Sequence, residues 1–239
     1  MHRLVFFLIA AHCFSIANAC ANTWGGETRF GISPESDFLA PNEVSVTLRH
    51  SGKKYWIEAS TFVDVSAESI YKVSMDYDNY RSFAPYVKGS RIVEEQRFDT
   101  SNGQVKSADG HLLDRQLVFW SRMEYIARFL FIKNKIISKT YVDVQGLRGV
   151  SADGDFAIRW HLTPRKSEWI HPAESAFSTL DGSWYILPVG PNRSYLRYFF
   201  KINVESIVPD GILEVVLSDS LEPGVRNLID AIVKRANSL

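Results

Sequence analysis

The sequence predicts an α+β domain in which one long antiparallel sheet is closed by a C-terminal helix. Three observations predict it. Residues 55–65 alternate apolar and polar positions in a β-branched and aromatic stretch. A succession of strand-like segments separated by turn signals runs from residue 90 to residue 204. From residue 209 to the end, apolar residues recur at helical spacing. A sheet with one apolar face and a helix with one apolar stripe each need the other as cover.

The chain opens with Met1-His2-Arg3 and an apolar run from Leu4 through Ile16, broken by His12 and Ser15. Two overlapping small-x-small sites follow, Ala17-Asn18-Ala19 and Ala19-Cys20-Ala21, so residues 1–21 read as a cleavable signal peptide. The run is too short to cross about 30 Å of hydrocarbon as a permanent helix. An exported protein, periplasmic or secreted, is the expectation. Cleavage before Cys20 would leave a cysteine at the mature N-terminus, where a lipoprotein carries its lipid, whereas cleavage before Asn22 leaves a diffusing chain. Cys13 and Cys20 are the two cysteines, and processing removes at least one. No internal disulfide, Cys-based metal site or Cys nucleophile is therefore expected.

Residues 22–52 are punctuated by Gly and Pro and read as an N-terminal extension, with Val44-Ser45-Val46-Thr47-Leu48 as a short strand within it. The domain proper is expected over residues 53–239. Its first strand puts Tyr55, Ile57, Ala59, Thr61, Val63 and Val65 on one face. Ser66 then suits an N-cap, with Glu68 in the first helical turn and Ile70, Tyr71, Val73, Ser74 and Met75 continuing a short helix. A second short turn through residues 78–83 ends before Pro85, because the residue preceding a proline avoids the α region.

Strands are expected near residues 90–98, 104–109, 113–125, 136–144, 155–163, 176–187 and 194–204. Ser101-Asn102-Gly103, Asp109-Gly110, Asp153-Gly154 and Gly190-Pro191-Asn192 separate them as turns. The terminal pattern of Ile212, Leu213, Val215, Val216, Leu217, Leu221, Val225, Leu228, Ile229, Ile232 and Val233 is helical, with Pro209 suited to the first turn. Glu222-Pro223-Gly224 interrupts it, so a kinked helix or two successive helices are expected.

Lys plus Arg and Asp plus Glu are equal at 27 each, which leaves no basic excess for nucleic acid. Among 6 His there is no HxH, HxxxH or HExxH spacing, so no metal site is expected. His111, His161 and His171 read as surface residues, and Ser178 and Ser183 lie in no Gly-x-Ser-x-Gly context. No catalytic residue and no cofactor is assigned.

Strand, two short helices, long antiparallel sheet and terminal helix, in that order, make a helix-grip arrangement. Segment 65–87 resembles the start of START-like (SRPBCC) domains, closest to their coenzyme Q-binding and polyketide cyclase branch. Asp76-Tyr77, Tyr80, Phe83, Pro85 and Val87 match that branch's pattern. The resemblance implies a curved sheet wrapped around the terminal helix, with a cavity between them that receives a lipid or another hydrophobic molecule. The superfamily also includes enzymes, so fold alone does not decide function.

The residues expected to line such a cavity are Tyr80, Phe83, Leu117, Phe119, Phe156, Ile158, Trp160, Tyr185, Leu196, Tyr198, Phe200, Leu213 and Leu217. The strand members come from inward-facing alternation, and Trp160, Tyr185 and Tyr198 would add polar tips to an apolar lining. The same side chains also suit ordinary core packing. Segment 128–137, with Arg128 at its start and Ile137 at its end, interleaves cations with Phe129, Leu130, Phe131, Ile132 and Ile136. It reads first as a cationic strand face beside a core face, and it is also the candidate membrane contact or lid, with segment 78–87 as a second gate. Two other readings stay open. One is a cyclase or aromatase using the same cavity, which needs a protonatable group inside, where neither His nor Glu occurs on the assigned inward faces. The other is an envelope protein-interaction module with a filled core.

Overall fold

A computed structural model describes residues 43–99, 105–107, 111–129, 132–149, 154–170, 177–204 and 210–239. The signal-peptide region and His171 lie outside the described residues. Eight strands form one antiparallel sheet: β1 (Ser45–Ser51), β2 (Lys54–Val63), β3 (Val87–Arg97), β4 (Leu112–Phe129), β5 (Ile132–Arg148), β6 (Phe156–Ile170), β7 (Phe177–Gly190) and β8 (Arg193–Val204). Their spatial order is β1-β2-β8-β7-β6-β5-β4-β3. The helices are α1 (Ala67–Ser74), α2 (Tyr80–Phe83) after a single 3-10 turn at Tyr77–Asn79, and α3 (Asp210–Ala236). This is the α+β helix-grip architecture, a curved sheet closed by a C-terminal helix.

Alternation on β2 puts Tyr55, Ile57, Ala59, Thr61 and Val63 in the interior, with each intervening residue partly exposed. The chain then turns into α1, where the Ser66 hydroxyl accepts from Ser69 N–H at 3.2 Å and satisfies one of the free donors of the first turn. Because β2 and β3 lie near opposite edges of the sheet, α1, the 3-10 turn and α2 carry the chain across its inner face. The second half of α3 packs against α1 and that same inner face. Val225, Ile229, Ile232 and Ala236, spaced four, three and four apart, are 6%, 1%, 0% and 4% exposed and join α1 and the inner sheet face in one core. Each fully buried isoleucine is worth about 1.5–3 kcal/mol of transfer free energy.

The structure refines the expectation at several elements. β1 lies within the stretch read as an extension, yet it is the sheet's edge strand, paired with β2 from Ser45↔Ser60 to Ser51↔Lys54. α3 runs through Pro223 as one helix. The missing N–H removes one ladder bond, and just beyond it Arg226 pairs with Glu222 and donates to the Val44 carbonyl. The strand expected at 104–109 is, in its described part, a single bridge between Lys106 and Leu112. β4, β5 and β6 are also longer than their alternation suggested, so the β4–β5 pairing continues to Phe129↔Ile132.

Candidate functional site

Two cross-strand rows make the aromatic floor of the grip. Gly146, Ile158, Trp184, Tyr198 and Ala59 face one another in register and are all buried. The next row, Val144, Trp160, Gly182, Phe200 and Ile57, is different: Trp160 and Phe200 are only partly covered. Leu162 and Leu180, further along β6 and β7, are half-buried as well. Burial along the inner face is therefore uneven: Val144, Ile57, Tyr55 and Ile202 are closed in the same rows in which Trp160, Phe200 and Leu180 are partly exposed.

The floor is built by contact. The Trp160 indole lies across Gly182, where a Cβ would collide with its ring and would stand 2.7 Å from the Phe199 carbonyl oxygen. Only glycine leaves room for the indole to lie flat. Tyr198 then meets Trp160 at a ring-centroid distance of 5.7 Å and Trp184 at 4.6 Å, both tilted, and stacks on Phe200 at 6.3 Å.

A second aromatic group comes from the crossover. Tyr77 meets Tyr80 edge-on at 4.7 Å and Phe119 at 4.5 Å, and Tyr80 meets Phe83 at 5.1 Å. The Tyr80 hydroxyl donates to the Ser74 carbonyl at 2.7 Å. Burial pushes both the Tyr77 and Tyr80 phenols well above their ordinary range, and for Tyr80 the neighbouring Tyr77 and Tyr198 phenols add to it. These hydroxyls stay protonated, as neutral donors. Ser74, on the buried face of α1, is 0% exposed, and its Oγ has no hydrogen-bond partner among the described residues.

The rim beside α1 is charged. A bulge between Leu113 and Arg115 on β4 turns Asp114 and Arg115 together toward α1. Tyr71 donates to Asp114 at 2.6 Å, Arg148 pairs with Asp114 at 3.0 Å and with Glu68 at 2.9 Å, and Arg115 donates to the Met75 carbonyl at 2.9 Å while pairing with Glu95. Burial works to raise the Glu68 carboxyl, but the hydrogen bonds and charge of Arg148, with Lys72, outweigh it and hold the group below its usual range. Every charge in this clamp has an opposite partner.

Of the expected lining residues, Tyr80, Leu117, Phe119, Phe156, Ile158, Leu196 and Tyr198 are buried in the core between sheet and helices, with Phe83, Trp160 and Phe200 packed against it partly exposed. Tyr185 is a correction. It belongs to a separate cluster with Leu113, Leu147 and Ala157 on the outer face, because its neighbours Trp184 and Ile186 are the inward pair. The signal was the set Leu180, Trp184, Ile186 against Asp181, Ser183, Tyr185. Leu213 and Leu217 fall on the first half of α3, where their side chains lie outside the described residues; the side chains of 128–136 do too. Segment 78–87 is tied to β3 by Ile92 N–H donating to Asp78 at 2.7 Å and Arg81 N–H donating to Ser90 at 3.0 Å.

Sequence reasoning passed over Tyr77, Trp184, Ser74 and the whole clamp. His161 is 60% exposed and 3.3 Å from Asp143 on the outer face. Among the described residues no three His, Cys, Asp or Glu side chains converge as metal ligands, and no helix is long and apolar enough to cross a membrane.

No protein-family model and no curated protein sequence matches the chain. Solved structures do. A STAR-related lipid transfer protein from Xanthomonas axonopodis superposes with a TM-score of 0.54 at 12% identity, covering 81% of this chain and 93% of that one. Human StAR-related lipid transfer protein 5 gives 0.49 at 12% identity, with 97% of each chain covered. An aromatase/cyclase from a Streptomyces species gives 0.44 at 14% identity, covering 77% of this chain and 94% of that one.

Proposed function

Because the chain has the START-like helix-grip fold, we propose that it binds a lipid or another hydrophobic small molecule between its sheet and α3, and carries it outside the cytoplasm. One observation carries the reading. The inner face holds partly exposed aromatic and aliphatic surface at Trp160, Phe200, Leu162 and Leu180 beside the closed core of Ile158, Trp184 and Tyr198. Apolar surface left facing inward in this way stabilises a bound apolar molecule at about 25 cal/mol per Å² removed from water. The name of the Xanthomonas protein whose fold it shares, a lipid transfer protein, supports the same reading.

Transport follows from export. With residues 1–21 removed, the domain would diffuse in the periplasm or outside the cell, or stay tethered through Cys20. The hairpin end at segment 128–137 is the surface proposed to touch a donor membrane. A cyclase reading would need a proton-transfer group facing the ligand, whereas the buried polar residues described on the inner face are neutral hydroxyls.

Titrating the protein with a panel of quinones, sterols and fatty acids while following Trp emission tests the binding. Saturable change with at least one class is expected. No response to any of them, with the protein folded, contradicts it. N-terminal sequencing of the mature chain distinguishes a start at Cys20 from one at Asn22, and an intact Met1 would contradict export by cleavage.

A further inference from the structure

Resting on the reading that the β4–β5 hairpin end meets a membrane, we propose that its partner is an anionic lipid surface, recognised by the cationic face of a two-stranded ribbon. Among the described residues, pairing of β3 with β4 ends at Val87↔Met123 and that of β6 with β5 at Ile137↔Ile170. From there β4 and β5 continue with each other alone, as far as Phe129↔Ile132. The six β4 residues from Glu124 to Phe129 rise about 3.3 Å each, so the ribbon reaches about 20 Å past its neighbours. A two-stranded ribbon is marginally stable at best in water and gains from a surface to lie on.

Register divides the ribbon by charge. Segment 122–139 holds five cations, Arg122, Arg128, Lys133, Lys135 and Lys139, against one acid, Glu124, in a chain of formal net charge 0. The pairs Arg122↔Lys139, Ile126↔Lys135 and Arg128↔Lys133 alternate with Tyr125↔Ile136 and Phe129↔Ile132. Positions along a strand alternate between the two faces of a sheet. All five cations therefore share one face and none falls on the other. Met123 packs against the core, so the apolar pairs continue the inner face and the cations belong to the outer one. At the base of the ribbon Arg122 is 42% exposed beside Glu124, and Glu168 of β6 stands opposite Lys139 in register. The next outer pair, Trp120↔Tyr141, is partly exposed, with Arg91 5.4 Å from the Trp120 ring.

A ribbon with one cationic and one apolar face suits the boundary between headgroups and hydrocarbon. Its cations meet lipid phosphates, while the apolar row, turned to the acyl chains, leads from them to the inner face. A nucleic acid would satisfy the cations and leave the apolar row in water. Each Lys or Arg held at an anionic membrane strengthens binding by about five-fold.

The test floats the mature chain with vesicles of phosphatidylcholine, alone or mixed with phosphatidylglycerol. The mixed vesicles are expected to bind at least about ten-fold more tightly, an advantage lost in high salt. Lys133→Gln with Lys135→Gln is expected to weaken that binding about 25-fold. Lys133→Arg with Lys135→Arg should retain it. Lys234→Gln with Arg235→Gln removes the same charge at the exposed end of α3 and is expected to cost less than about two-fold, since those cations lie outside the ribbon. Equal binding of both vesicle types overturns the inference, and so do equal losses in the two Gln pairs, which would mark an effect of overall charge. Tighter binding to a DNA duplex than to the mixed vesicles also overturns it. Should Lys133→Gln with Lys135→Gln unfold, Arg128→Gln alone is expected to cost about five-fold, and no loss would count against the ribbon. Uptake of an apolar ligand by a protein that ignores the mixed vesicles defeats this inference and leaves the binding reading standing. Docking on vesicles with no ligand taken up does the reverse.

Discussion

The Tyr71 hydroxyl donates a 2.6 Å hydrogen bond to Asp114 across 43 residues of chain, and so fastens α1 to the β4 bulge. Arg148 lies 4.9 Å above the Tyr71 ring and 5.1 Å from that of Phe156, which holds the phenol in place. Tyr71→Phe removes the donor and keeps the ring. A loss of about 1.5 kcal/mol is expected, the usual worth of a hydrogen bond to a charged group. Urea denaturation measures it. In a double-mutant cycle with Asp114→Asn the two changes should be less than additive, and full additivity would show that they do not interact.

Glu68 makes the clamp pH-dependent. Its folded carboxyl titrates below the ordinary 4.5, since Arg148 and Lys72 outweigh the cost of burial. A carboxylate with a depressed folded pKa contributes stability above its unfolded value and loses it as pH falls through the folded one. Glu68→Gln is therefore expected to unfold at lower urea than wild type at neutral pH, with the gap closing below about pH 4.5. A gap that stays constant with pH would refute the assignment.

Gly182 is a position where the floor tolerates nothing larger. The methyl of Gly182→Ala would meet the Trp160 ring and stand 2.7 Å from the Phe199 carbonyl oxygen, and the latter is backbone that no rotamer change relieves. A destabilisation of about 1–3 kcal/mol is expected. The displaced indole should also shift Trp emission to the red. Unchanged emission and stability would mean that Trp160 does not lie across Gly182.

Along α3, Ile232 is 0% exposed whereas Lys234 is exposed. Ile232→Ala is expected to cost about 2–5 kcal/mol, and Lys234→Ala less than about 0.5 kcal/mol. Urea midpoints of the two variants check the face that α3 presents to the sheet. Equal effects would mean that the helix is rotated from the position described.

Local pattern carried the fold a long way. Strict alternation identified the inward set of β2, and Ser66 was legible as a cap because capping is decided within four residues. Of the two expectations at Pro223, one long helix and two successive ones, the structure has the single helix, with Val225, Ile229 and Ile232 packed in the core beyond the proline. Tyr185 was chosen for its hydroxyl over Trp184, although the apolar phase of β7 favours Trp184. The clamp was beyond reach for a different reason. Glu68 and Arg148 are 80 residues apart, and the bulge that turns both Asp114 and Arg115 toward α1 breaks the two-residue period on which such inference depends.

Native mass spectrometry of the protein purified from its own compartment tests the central claim most directly. A co-purifying apolar molecule, retained on gentle ionisation and released on unfolding, is the result expected for a carrier whose aromatic inner face closes on its ligand. Repeated recovery of the bare mass, from protein that also fails to take up added quinones, sterols and fatty acids, would contradict it.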